Sequence, residues 1–228
     1  MLLYSGPLSL FARKVEIALA EKVLAFDRVM VPFTQTEGYS PKNSAVLAAN
    51  PKGQVPVLVD GDLVLYDSTV IIEYLEDAYP AHLLFPEEPT ARARCRLLEL
   101  EADEVLLVPV RALMFRSEPP GTDTARRIEQ ERAAVKAEDA LLEHYATLAA
   151  KLESQDYFCG TFSVADIATF MTIHHGLRLG APPLVDHQNL SAWYARLAKR
   201  ASFATVIAQI AAADRELSHP VPAYRKTL

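Results

Sequence analysis

The run from Val57 to Tyr79 constrains the fold more than any other part of the chain, because it must pass from sheet to helix without a break. Val57, Leu58 and Val59, then Leu63, Val64, Leu65 and Tyr66, are two β-rich runs separated by Asp60, Gly61 and Asp62, the pattern of a hairpin. Both strands are expected to be buried on at least one face. Ile71, Tyr74, Leu75 and Ala78 then recur at the i, i+3, i+4, i+7 spacing of an amphipathic helix. The handover therefore falls at Asp67-Ser68.

Upstream, Leu2, Leu3 and Tyr4 form a short strand broken by Ser5-Gly6-Pro7. A helix follows, with Phe11, Val15, Ala18 and Leu19 on its buried face and Ser9 in its first turn or at its cap. A second strand around Asp27 to Val31 completes a β-α-β unit. The order β-α-β, then β-β-α, suits a thioredoxin-like α/β domain.

Two places in this region carry chemistry. Pro56 removes a backbone donor just before a strand, so Val55 is left with unpaired backbone groups. With a cis Val55-Pro56 bond those groups face outward, ready to pair with an extended peptide. At Asp67-Ser68, one reading is a plain helix cap by Ser68. In the other, free N–H groups and the Ser68 hydroxyl hold a ligand carboxylate while Asp67 pairs with a ligand ammonium.

The segment NPKGQVPVLVDGDLVLYDSTVIIEYLEDAYP resembles the glutathione site of the cytosolic glutathione transferase family, with its N-P-x-x-x-V-P loop, hairpin and acidic-Ser helix start. The resemblance implies that Val55 pairs with the cysteinyl backbone of glutathione beside a cis-Pro56, and that Asp67 and Ser68 hold the γ-glutamyl end. Many members carry Glu where Asp67 stands, and one methylene less shortens the reach. LYSGPLSLFARKVEIALAEK resembles the first β-α unit of the serine- and cysteine-type bacterial classes. In those classes the catalytic residue stands six positions before the helix Val, which is Ser9 here. Tyr4 and Ser5 are the rival hydroxyls. Lys42 stands at the interval before Val55 where some classes place a Lys for the glycyl carboxylate, and Gln54 could meet the same group. No metal is expected, and the adjacent His174 and His175 point to different helix faces.

The resemblance implies a glutathione transferase with glutathione as cosubstrate, a small apolar electrophile as its target, and a homodimer. Related glutathione-dependent reduction or isomerisation is the same chemistry in another setting. LYSGP, VEIALAEK and DSTVIIEYLEDAYP are also similar to the stringent starvation protein A group, which implies an RNA polymerase-binding regulator without thiol chemistry. Ser9, Lys42 and Gln54 favour the enzyme.

The expected domains are 1–80, a thioredoxin-like glutathione-binding domain, a proline-punctuated linker over 81–89, and an all-helical domain over 90–228. In the last, Leu98, Ala102, Val105 and Leu106 define one buried face, and Pro109 is expected to kink that helix. Ser163-x-x-Asp166 reads as a capping box. It resembles the buried box of the transferase family's second domain, where its role is folding. With 228 residues and 50% hydrophobic content the chain can build its cores without staples. A net charge of -6 argues against nucleic acid as a partner, and no stretch is apolar enough to span a membrane. Cys95 and Cys159 fit neither a CxxC pair nor a zinc set, so a reduced cytoplasmic compartment is expected.

Overall fold

The computed structural model describes residues 1–39 and 42–224. Its contacts divide the chain into two compact units, 1–85 with 200–217, and 86–199 with the tail from Ser218. In the first unit β1 (Leu2–Ser5), β2 (Asp27–Met30), β3 (Val57–Asp60) and β4 (Leu63–Tyr66) form one sheet in the order β2-β1-β3-β4. β1 is parallel to β2 and antiparallel to β3, and β3 is antiparallel to β4. A parallel pair needs a crossover, and α1 (Leu10–Glu21) supplies it, burying Val15, Ile17, Ala18 and Leu19. The hairpin turns at Gly61, whose φ of +60° favours a residue without a Cβ.

α2 (Ser44–Ala49) and α3 (Ser68–Ala78) complete the N-terminal part, with α3 packed on α1. A buried ion pair ties them: Lys22 Nζ lies 2.8 Å from Glu76 Oε2. The Glu76 carboxylate also accepts the N–H groups of Leu84 and Phe85, so the end of this segment is anchored to α3. Leaving either charge alone in that site would cost about 3–5 kcal/mol. One expectation fails here. β4 is an edge strand, and Leu63, Val64 and Tyr66 are exposed instead of buried.

The second unit is helical, as the periodicity of 90–198 requires. It holds α4 (Pro89–Leu100), a π-helical turn over Glu101–Leu106, α5 (Leu107–Arg111), α6 (Thr124–Leu152), α7 (Val164–Arg178) and α8 (Gln188–Ala198). A π turn lies just upstream of Pro109. Pro109 has no N–H to offer Val105, and a π turn takes one residue more than an α turn. The apolar face therefore shifts register: Ala102 and Leu106 remain buried, Val105 turns outward at 47% exposure, and Leu107 and Val110 turn in.

The capping box of α7 is present. Asp166 Oδ2 accepts the Ser163 N–H and hydroxyl at 3.0 and 3.2 Å, while Oδ1 accepts Phe158 N and Trp193 Nε1 at 3.1 and 2.8 Å. One carboxylate thus joins the turn before α7 to α8. The last helix, α9 (Ala201–Leu217), groups with the first unit and not with the helical region in which the sequence places it. Its buried face of Phe203, Val206 and Ile210 packs on α1. Arg200, just before α9, pairs with Glu21 at 2.6 Å.

Candidate functional site

Strand register brings three chain segments to one end of the first unit's sheet. Val57 lies opposite Tyr4 on one side and Tyr66 on the other. The end of β1, the start of β3 and the end of β4 therefore meet, and each is followed or preceded by a residue singled out from the sequence. Beyond Tyr4 comes the α1 start, before Val57 comes Val55-Pro56, and beyond Tyr66 comes the α3 start.

The α1 start is held from below. Ser5 is fully buried and donates its hydroxyl to Glu16 Oε1 at 2.5 Å. Glu16 also takes Arg13 at 2.8 Å and Arg28 at 2.9 Å, while Arg13 reaches back to the Pro7 carbonyl at 3.2 Å. These buried charges fix the loop Ser5–Ser9. Ser9 is the N-cap of α1 and its oxygen accepts the Ala12 N–H at 3.2 Å. Its hydroxyl hydrogen is not used in that bond, so a half-buried donor stands at the positive end of a 12-residue helix.

The rival hydroxyls are differently engaged. Ser5 spends its proton on Glu16. Tyr4 packs its ring against the cluster of Ala12, Val31, Val46, Val55 and Val57. Tyr39 packs on the same cluster and lies over Gly6, where an added Cβ would stand 2.0 Å from the Tyr39 hydroxyl. That close approach is what a glycine at position 6 permits.

The Val55-Pro56 peptide is cis. Val55 buries its side chain in the cluster, and among the described residues its backbone N–H and C=O have no partner. The loop before it is shaped by Asn50, the first residue of the N-P-x-x-x-V-P motif, to which sequence reasoning gave no role of its own. Buried Asn50 donates to the Gln54 carbonyl at 2.8 Å and accepts the Lys52 N–H at 3.0 Å. Gln54 is left exposed. The stem of Lys42 lies along Gly53, where a Cβ would stand 3.1 Å from Lys42 Cδ. Lys42 and Gln54 thus flank the same short loop.

At the α3 start the capping residue is Asp67 and not Ser68. Asp67 Oδ1 accepts the Thr69 and Val70 N–H groups at 3.0 and 3.3 Å, and its second oxygen takes no partner among the described residues. Asp67 is exposed and Ser68 is buried. The Asp67 backbone has φ 75° and ψ 128°, a region that non-glycine residues rarely adopt and that concentrates at functional sites. Taken together, the sheet end offers an unpaired backbone edge, two helix starts, a carboxylate oxygen and a lysine stem. Such a set can hold a short extended peptide bearing charges at both ends. Among the described residues no group of His, Cys, Asp and Glu is arranged to hold a metal. His174 instead bonds Tyr194 at 2.7 Å and stacks on Phe170.

Comparison with known proteins adds to this geometry. Residues 3–88 match the model of the glutathione S-transferase N-terminal domain, and residues 108–201 match that of the C-terminal domain. A stringent starvation protein A homolog of Coxiella burnetii is 44% identical over 98 residues, 43% of this chain and 44% of that relative. The matched part thus spans less than half the length of that relative. The homolog of Haemophilus ducreyi is 30% identical over 183 residues, covering 78% of this chain and 76% of the relative. Among solved structures, a theta class glutathione S-transferase from the citrus canker pathogen Xanthomonas axonopodis pv. citri, with glutathione bound, superposes with a TM-score of 0.76 at 26% identity. It covers 90% of this chain and 96% of that one.

Proposed function

The chain belongs to the glutathione S-transferase family, and from that premise we propose that its first unit binds glutathione and uses Ser9 to stabilise the glutathione thiolate for attack on a small apolar electrophile. The observation that carries the reading is the unpartnered Val55 backbone lying between two helix starts. Val55 pairs with the cysteinyl backbone of the tripeptide. The free Asp67 oxygen accepts from the γ-glutamyl ammonium, and the buried Ser68 start of α3 answers the γ-glutamyl carboxylate. Lys42 and Gln54 meet the glycyl carboxylate at the other end.

The energetics are adequate for the role given to Ser9. A thiol of reference pKa about 8.5 must fall by roughly two units to be mostly ionised at neutral pH, which requires about 2.7 kcal/mol. A helix N-terminus contributes about 0.3–1 kcal/mol, and a hydrogen bond to a charged group about 1.5–3 kcal/mol. The free Ser9 proton at the start of α1 supplies both. Ser9→Ala is expected to lower the rate of glutathione conjugation to an aryl halide on the order of 10- to 100-fold, with little change in glutathione affinity. Undiminished turnover would remove Ser9 from the mechanism.

The reading includes a homodimer, supported by the exposed Leu63, Val64, Tyr66 and Val70 of the first unit. Light scattering should return the mass of two chains, and the mass of one chain would contradict it. The likeness to the stringent starvation protein A homologs supports a second reading, in which the chain binds a protein partner and Ser9 serves only as a cap. In that case the protein shows neither glutathione binding nor conjugation.

A further inference from the structure

We propose that Arg13 is a positioning residue for the thiol chemistry: its buried positive charge, left unbalanced because Gln209 and not an acid completes its bonds, favours the thiolate held at the α1 start. This rests on the reading that the first unit binds glutathione.

The geometry of the cluster fixes its charge. Arg13 and Arg28 both direct Nη1 to the same two oxygens. Glu16 Oε2 accepts from them at 2.8 and 2.9 Å, and Gln209 Oε1 on α9 accepts at 2.8 and 2.6 Å. The remaining Glu16 oxygen accepts from Ser5 at 2.5 Å. Among the described residues neither arginine has another acidic partner. Two guanidinium groups thus share one carboxylate, and the cluster carries a surplus positive charge. Water screens Arg28, whose side chain is 32% exposed. Arg13 lacks that relief, since only 1% of it is exposed and its buried Nε has no partner.

The neighbouring charges do not cancel the surplus. On α1, Lys22 is paired with Glu76 and Glu21 with Arg200, while Lys14 Nζ lies 5.9 Å from the centre of the Phe11 ring. Asp27 on β2, Glu73 and Asp77 on α3, and Asp214 and Glu216 on α9 form no bond to Arg13.

An acid at position 209 would serve the fold better. Glu has the length of Gln, keeps the accepting oxygen and balances the two arginines, whereas a buried charge short of a partner is costly. Proteins carry such local conflicts where function uses them. Here Arg13 Nη2 donates to the Pro7 carbonyl at 3.2 Å, and the Arg13 N–H to the Ser9 carbonyl at 3.0 Å. Pro7 and Ser9 are separated by at most about 7 Å of chain. The charge therefore stands close behind the α1 start, where the helix end and the Ser9 hydroxyl also favour an anion. Burial leaves it only weakly screened by salt.

The test compares Gln209→Glu, which keeps the oxygen but cancels the surplus charge, with Gln209→Met, which keeps the charge but removes the oxygen. It reads the thermal midpoint and the pH at which bound glutathione gains the ultraviolet absorbance of a thiolate, with the pH profile of kcat/KM alongside. Gln209→Glu is expected to melt no lower than wild type, while its thiolate midpoint rises by about half a unit to one unit. Its conjugation rate should fall about 3- to 10-fold below the wild-type midpoint and recover at high pH. Gln209→Met should melt lower and keep the wild-type thiolate midpoint. An unmoved midpoint in Gln209→Glu overturns the proposal. So does an equal shift in Gln209→Met, or a Gln209→Glu protein less stable than Gln209→Met. Wild type that forms no bound thiolate overturns the proposal together with the glutathione reading, whereas thiolate in wild type without a shift in Gln209→Glu leaves that reading standing.

Discussion

At Asp67 a single side chain has two tasks. Its φ of 75° costs about 1–3 kcal/mol in a non-glycine residue, while its Oδ1 caps α3 with two N–H groups and returns about 1 kcal/mol. The sequence located the helix start but assigned the cap to Ser68. Asp and Ser cap equally well, so only the backbone angles decide between neighbours. Ser9, Val55 and Lys42 stand out in the sequence because each sits at a fixed interval from a helix or proline signal. Asn50 opens the same proline motif, but its role appears only once its side chain is seen bridging the loop.

Asp166 yields a prediction at the same scale. Burial pushes its carboxyl from the usual 3.8 up to about 6, even though Trp193, Phe158 and Ser163 all donate to it. Between those two values the folded chain binds a proton that the unfolded chain lacks. On this group's account, stability is lowest above about pH 6 and rises as pH falls through that value toward about 4. Denaturant melts should therefore show wild type gaining on Asp166→Asn as pH drops from about 7 to about 5. A difference that stays constant over this range would contradict the assignment.

Among elements, the hairpin follows from two β-rich runs, Val57–Asp60 and Leu63–Tyr66, set around Gly61, and α3 from the helical spacing within Ser68–Ala78. The exposure of β4 does not follow, because a β-rich run reads the same in an edge strand as in a central one. The π turn over Glu101–Leu106 is the larger departure. A helical repeat read at 3.6 residues runs straight through it and places Val105 inside and Leu107 outside, the reverse of what packing shows. Thermal denaturation separates the two registers. Leu107→Ala is expected to cost about 2–4 kcal/mol, and Val105→Lys no more than about 0.5 kcal/mol. The opposite order would mean that the turn is α-helical.

For the whole molecule, apolar periodicity shows that a helix has a buried face but not which surface receives it. The sequence therefore grouped α9 with the helices before it, whereas Phe203, Val206 and Ile210 close the first unit against α1. Among the described residues no helix is long and apolar enough to cross a membrane. The binding reading rests on one unit and on residues whose convergence comes from the register of β1, β3 and β4. Calorimetric titration of glutathione into wild type and Asp67→Asn tests it most directly, since Asn keeps an N-cap oxygen but removes the charge offered to an ammonium. We predict saturable one-to-one binding to wild type and weaker binding to the variant at nearly unchanged stability; no binding by wild type, or equal affinity in both, would contradict the account.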